Sequence, residues 1–207
     1  GEAILNQNHQ DNFLAVLRVE PLVLKGENLQ ESGSIPSFAI AEEKAVKAIQ
    51  KHSMNIKGEQ KNPQIEQAYF LLGKARYYDR RFFPALEAFT FLMDEYRGKA
   101  IYDQGRLWRE KTNLRLGNTA IALENLLLLN ERIKEDNPLY PEVQATIAQA
   151  CLDEERFDSA LLYITQAAKS EKKKDKKARY TYIQAQLQEQ LGMEEEARTS
   201  FESIVSK

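Results

Sequence analysis

The sequence predicts an all-α fold, a solenoid of helical hairpins, and three observations predict it. The first is a shortage of turn formers. Nine glycines and six prolines among 207 residues are about 7% of the chain, against roughly 12% in an average one. All-β sandwiches and barrels need a turn signal every 8–12 residues or so, and this chain cannot supply them. The second is a hydrophobic content of 43%, enough for a real core and too much for general disorder. The third is an internal repeat. Ala41, Ala85, Ala122, Ala160 and Ala197 are separated by 44, 37, 38 and 37 residues, and each is followed by apolar residues four and seven positions on. Those steps place three side chains on one helix face. One such set is any amphipathic helix; five at near-constant spacing make a repeat. About four and a half repeats, or about nine helices, are expected over residues 37–207.

The elements follow in order. Residues 1–36 lack the marker pattern and hold Gly1, Pro21, Gly26, Gly33 and Pro36. They read as an irregular N-terminal segment, docked through Phe13 to Leu17 and Leu22 to Leu24, with a loop around Lys25 to Ser34. A single second helix is expected at about 38–52. Hairpins are then expected at about 64–79/82–97, 100–116/119–134, 139–154/157–170 and 176–191/194–206. Asn62-Pro63, Pro84 and Asn137-Pro138 supply helix starts, since a first-turn proline loses no hydrogen bond. Asn118 and Asp158 are expected N-caps. Leu86, Phe89, Met93 and Tyr96 form a stripe expected to pack on Ile65, Tyr69 and Leu72. Twelve positions before the marker alanines stand Gly73, Ala148 and Ala185, small enough for a second helix to approach; Glu110 takes that place in the third unit. The last unit carries Gln184 and Gln188 where apolar residues are expected.

Composition and motifs exclude much chemistry. With 29 basic and 31 acidic residues the net charge is −2, without the basic excess of nucleic-acid binders. No apolar run approaches the roughly 18 residues of a membrane span. The single cysteine, Cys151, rules out an internal disulfide framework and a cysteine-rich metal site; it falls on a buried stripe with Ile147 and Ala148, a core thiol without a base beside it. The two histidines, His9 and His52, sit in different segments as solvated or helix-end residues. There is no phosphate-binding glycine loop, no Gly-x-Ser-x-Gly elbow and no His-Glu-x-x-His. No catalytic residue, metal, cofactor or small-molecule substrate is expected. The run Lys172 to Lys177 reads as a solvated loop between the last two units, or else as a contact for an acidic partner or membrane surface.

The motifs Leu72-Gly73-Lys74-Ala75 … Phe82 … Ala85-Leu86-Glu87-Ala88-Phe89, Leu116-Gly117-Asn118 … Ala122 and Leu191-Gly192 … Ala197 resemble tetratricopeptide (TPR) repeats. Other helical arrays, with periods near 40 residues, share the spacing; the Leu-Gly turns and marker alanines favour TPR. Such arrays bind partners on a concave surface, which the resemblance assigns to first helices. It implies Gln67, Phe70, Leu71, Lys74, Tyr77 and Tyr78 in the second unit, and Gln104, Leu107, Trp108, Lys111, Leu114 and Arg115 in the third. The fourth gives Glu142, Thr146, Gln149 and Asp153, the fifth Arg179, Ile183, Gln186 and Gln190. The foremost candidates for protein-partner binding are Phe70, Lys74, Tyr77, Tyr78, Trp108, Lys111, Arg115, Thr146 and Gln149, although Tyr77 and Trp108 could equally pack between units. Arg109 and Glu110 are expected to pair locally. A chaperone-type carboxylate clamp is rejected, because its positions hold Phe70, Lys74, Trp108, Glu142 and Thr146.

A narrower resemblance rests on Ala41-Glu42-Glu43-Lys44-Ala45 … Lys51-His52-Ser53-Met54, Asn62-Pro63-Gln64 … Ala75-Arg76-Tyr77-Tyr78-Asp79, Trp108-Arg109-Glu110-Lys111-Thr112-Asn113 and Asp11-Asn12-Phe13. Together these resemble the SprE/PorW-type TPR lipoproteins of Bacteroidota. The resemblance implies a non-enzymatic scaffold of the type IX secretion and gliding-motility machinery. It further implies a periplasmic protein anchored to the outer membrane by a lipid-bearing cysteine, here upstream of Gly1. The apolar Phe201, Ile204 and Val205 of the last helix lead to the expectation that the chain continues beyond Lys207. The alternatives are a generic cytosolic peptide-binding adaptor and an accessory domain of a larger enzyme.

Overall fold

The computed structural model describes residues 37–52 and 63–205. The expected irregular segment 1–36 lies outside the described residues, and with it His9; so does the expected cap Asn62. Among the described residues there are nine helices and no strand. The chain divides after Asn118 into two compact units.

The N-terminal unit holds α1 (Ser37–His52), α2 (Pro63–Tyr78), α3 (Phe82–Glu95) and α4 (Ala100–Arg115). Each packs on the next, and α2 also touches α4. The inner face of α3 buries Ala85, Ala88, Phe89, Leu92 and Met93, with Tyr96 just beyond its end. This face is wider than the expected stripe, and Leu86 is only half-buried on its edge. Gly73 is the close approach between α2 and α3: a Cβ there would lie 2.5 Å from Phe89 Cε1, and Phe89 is fully enclosed. Leu72 meets Ala88 and Ala45 of α1. Glu42 of α1 ties the corner, accepting hydrogen bonds from Arg76 Nε at 3.0 Å and Arg81 Nη1 at 2.6 Å. Here the marker pattern needs correction. Ala85, Ala122, Ala160 and Ala197 are buried, but Ala41 is exposed and α1 buries Ala45 instead. The other four alanines each follow a first helix of their own hairpin; no described helix precedes Ala41.

The C-terminal unit holds α5 (Thr119–Arg132), α6 (Tyr140–Asp153), α7 (Phe157–Ser170), α8 (Lys174–Gln190) and α9 (Glu194–Val205), each packed on the next. Its core is aliphatic: Leu126, Leu129, Val143, Ile147, Ile164, Ile183 and Leu187 are all essentially enclosed, each side chain contributing about 1.5–3 kcal/mol by burial. Three helix starts differ from expectation. Asp158 is not the cap of α7: Arg156 holds that place, without a side-chain cap bond, and Asp158 lies in the first turn. Asn137-Pro138 forms a turn ahead of α6, with Asn137 Oδ1 accepting from Leu139 N at 2.9 Å, while Pro141 is the first-turn proline. The lysine run is mostly helical, since α8 starts at Lys174. Only 171–173 bridge the helices, and Glu171 Oε1 accepts from the backbone N–H of Lys172 and Lys173 at 2.8 and 2.9 Å.

Four turns share one geometry. The N–H groups of Arg81, Asn118, Arg156 and Met193 donate to the carbonyls of Arg76, Asn113, Cys151 and Gln188, five residues back, at 2.8–2.9 Å. This is the Schellman closure, with the residue before each donor left-handed. That residue is Gly117 or Gly192 in two turns, but Arg80 (φ 60°) and Glu155 (φ 57°) in the others. The four fall 37, 38 and 37 residues apart. The repeat is therefore a repeat of backbone conformation, kept even where no glycine eases it.

Candidate functional site

In the N-terminal unit, α2 and α4 are first helices of successive hairpins and lie side by side. Phe70, Lys74, Tyr77 and Tyr78 recur at four- and three-residue steps on α2, and Trp108, Lys111 and Arg115 do so on α4, so each set shares a face. The aromatic members divide by depth. Phe70, Tyr78 and Trp108 are 6%, 8% and 5% exposed and belong to the core cluster with Ala85, Phe89, Leu92, Tyr96 and Ile101. Tyr77 is half-buried against that cluster. The edges of the rings meet: Trp108 lies 6.2 Å from Phe70, 5.4 Å from Tyr77 and 5.7 Å from Tyr78, centroid to centroid, near-perpendicular to the first two. Edge-to-face contacts set positive ring edges against negative faces, which locks the indole between the helices.

The cations lie on this floor. Lys74 Nζ sits 4.4 Å from the Trp108 ring centre and 5.7 Å from that of Phe70. Lys111 Nζ is 4.5 Å from Trp108, and Arg115 Cζ is 5.4 Å from Phe82. Each is an attraction of about 0.5–2 kcal/mol between a positive group and a ring face, with the aliphatic stem covering apolar surface. Lys74, Lys111 and Arg115 are all half-buried. Two members escaped the sequence reading. Phe82 gives Arg115 its platform, and Phe38 of α1 stacks on Tyr78 at 5.7 Å. Each stands at the start of a second helix, outside the first-helix register; Phe82 was legible only as a repeat-motif position, and no spacing signal marks Phe38.

Glu110, at the position expected to be small, is 1% exposed. Arg109 Nε donates to its Oε1 at 2.6 Å and Asn113 Nδ2 to its Oε2 at 2.8 Å. The expected local pair is present, and the Asn113 amide satisfies the second carboxylate oxygen.

The C-terminal unit carries the remaining two candidates. Thr146 is 5% exposed, and its Oγ1 donates to the Glu142 carbonyl at 2.7 Å. Gln149 is half-buried, its Nε2 donating to Asp153 Oδ1 at 2.8 Å. Lys176 Nζ lies 3.5 Å from Glu142 Oε2, linking α8 to α6. Cys151 is 1% exposed, and burial pushes its thiol above the usual range, which keeps it protonated and unreactive near neutrality. Among the described residues no cluster of His, Cys, Asp and Glu could hold a metal ion, and no helix is long and apolar enough to cross a membrane.

In sequence the chain matches no protein-family model and no curated protein. Its fold does have solved counterparts. A structure described as the MamA RS-1 ArsTM double mutant is similar with a TM-score of 0.60 at 10% identity, covering 94% of this chain and 93% of that one. A putative kinesin light chain of Podosopora anserina with nearly identical TPR-like repeats is similar with a TM-score of 0.61 at 13% identity, over 92% of this chain and 95% of that one. A variant of the latter gives a TM-score of 0.63 at 13% identity, over 92% and 94%. At such identities the likeness speaks for the fold alone. Together with the paired helices and their shared turns, it establishes that this chain has an all-α fold of the TPR type.

Proposed function

We propose that this chain is a non-enzymatic scaffold that binds protein partners, working in type IX secretion and gliding motility as the SprE/PorW-type lipoproteins do. The reading includes a periplasmic location and a lipid anchor to the outer membrane. The observation that carries the scaffold role is the first-helix face of the N-terminal unit, where Lys74, Lys111 and Arg115 are set on a floor of packed rings. A rigid aromatic floor with cationic heads is the composition of a binding anchor, and its side chains are already ordered. The motif resemblance supports the secretion role.

The test is photo-crosslinking from Leu71 and Gln67, exposed residues on α2 beside this floor, in cells of the source organism. Capture of a component of the secretion machinery is the expected result. Capture of none from either position would sink the reading.

A further inference from the structure

The outer side of α3 differs from the matching side of the other second helices. Two phenylalanines stand open there, Phe83 at 71% and Phe91 at 41% exposed. The Phe91 ring lies 4.4 Å from that of Tyr69 on α2, centroid to centroid. Tyr69, with Val46 and Ile49 of α1, packs on the cluster of Ala45, Leu72 and Ala88. An apolar strip therefore reaches from α1 across α2 to Phe91. Glu87 and Asp94, both exposed, stand four residues before Phe91 and three after it, and such steps share one face of a helix. We propose that this strip docks an amphipathic helix of a partner protein. Two basic residues of that helix, seven apart, meet Glu87 and Asp94, and an apolar residue between them seats on Phe91.

The charges around the strip specify a basic occupant. Glu95, four residues after Phe91, is a further carboxylate there, already engaged within the chain. Glu66 is half-buried three residues before Tyr69. Lys47 pairs with Glu43, and Arg76 and Arg81 with Glu42. Lys44 stands two positions from Val46, on the far side of α1, and Arg80 and Arg97 lie in the turns before and after α3. Like charge repels an anionic membrane, a nucleic acid or the same strip of a second copy. A cation placed here finds a ring face within one turn of a carboxylate. Two helices share one rise per residue, so residues seven apart match at about 10 Å on both. The same register of α5, 37 residues on, holds Glu124, Leu128 and Glu131, but Arg132 takes the place of Glu95. In α7 it holds Leu162, Gln166 and Lys169. A lone exposed leucine is ordinary. Among the described second helices, an exposed aromatic between two acids occurs on α3 alone.

The probe is a dye-labelled helical peptide that repeats Lys-Ala-Ala-Ala-Leu-Ala-Ala, which sets Lys and Leu at the matching steps. Fluorescence anisotropy follows its binding to the intact chain. A saturable rise that weakens with added salt is expected, and no binding of the version with Glu in place of Lys. Glu87→Gln combined with Asp94→Asn should weaken binding about tenfold, and so should Phe91→Ser by itself. A circular-dichroism melt confirms folding, and the carboxylate variant changes only exposed positions. Leu162→Ser, at an exposed site of the C-terminal unit, should leave binding unchanged. Equal binding of the Lys and Glu peptides would overturn the proposal. So would an equal loss in Leu162→Ser, or self-association in sedimentation that Phe91→Ser abolishes, which would give the strip to a second copy. The strip lies on the second helices, whereas crosslinkers at Leu71 and Gln67 report on the first-helix face. Failure at either face therefore leaves the reading of the other standing.

Discussion

The two units build corresponding helical surfaces from different chemistry. In the N-terminal unit, first helices present aromatic rings under three cations, and ion pairs fasten the unit: Glu42 holds Arg76 and Arg81, and Arg109 holds Glu110. The C-terminal unit has an aliphatic core and, beside the Lys176–Glu142 pair, is laced by neutral hydrogen bonds. Gln144 Nε2 donates to Asn130 Oδ1 at 2.5 Å, Tyr140 Oη to Gln166 Oε1 at 2.8 Å, and Ser200 Oγ to Gln188 Oε1 at 2.7 Å. Its first-helix register carries Glu142 and Asp153 against Arg179. The same backbone repeat therefore tolerates either chemistry.

The largest test of this contrast removes the charge that compensates Glu110. Arg109→Met should destabilise the N-terminal unit by about 3–5 kcal/mol, because it leaves a buried carboxylate without its partner. Urea unfolding followed by Trp108 fluorescence measures it. A loss below about 1 kcal/mol would mean that Asn113 alone suffices. Replacing Arg109 and Glu110 together with Met and Leu should restore most of the loss, since a buried pair is often matched by apolar residues of similar volume.

A cut of the neutral kind should cost less. Ser200→Ala strands the Gln188 amide oxygen, whose residue is 8% exposed, at about 1–3 kcal/mol. Labelling of the single cysteine, Cys151, reads this: its buried thiol should react with a disulfide reagent only as the C-terminal unit opens, and faster in the variant. An equal labelling rate in the two chains would show that the bond is dispensable.

The smallest effects lie in what the units share. At Glu155, φ is 57°, a conformation costing roughly 1–2 kcal/mol in a side-chain-bearing residue. Glu155→Gly should therefore stabilise by up to about 1 kcal/mol once the extra freedom of glycine in the unfolded chain is deducted. Gly192→Ala should destabilise by about the same amount. Thermal melts compare both with the parent chain, and matching signs for the two would contradict a common turn.

Much of this architecture could be read from local patterns, and particular residues show where that reading stopped. The nine helices fall within a few residues of the expected bounds, because a helix announces itself by apolar spacing along one segment. The Leu-Gly turns were visible because glycine marks a left-handed residue. Arg80 and Glu155 adopt the same conformation with no mark at all. Gln188, an unexplained polar residue in a buried register, is explained by Ser200, twelve residues along and on another helix. Ala41 matched the marker pattern and is exposed, because a pattern records which face a helix could bury and not whether a neighbour is there to cover it.

The candidate site divides along the same line. Helical register was sufficient to group Phe70, Lys74, Tyr77 and Tyr78 on one face and Trp108, Lys111 and Arg115 on another, since steps of three and four fix azimuth on a helix. Depth was not in the register. Only the packing of α2 against α3 and α4 sinks Phe70, Tyr78 and Trp108 into the core and leaves the cations above them. That packing also brings in Phe38 and Phe82 from other helices. The sequence by itself determined the helices, their repeat and the residue types each face carries, because those depend on near neighbours. Tertiary structure alone decided which aromatics became floor and which charges were compensated, because both depend on what a distant helix places opposite.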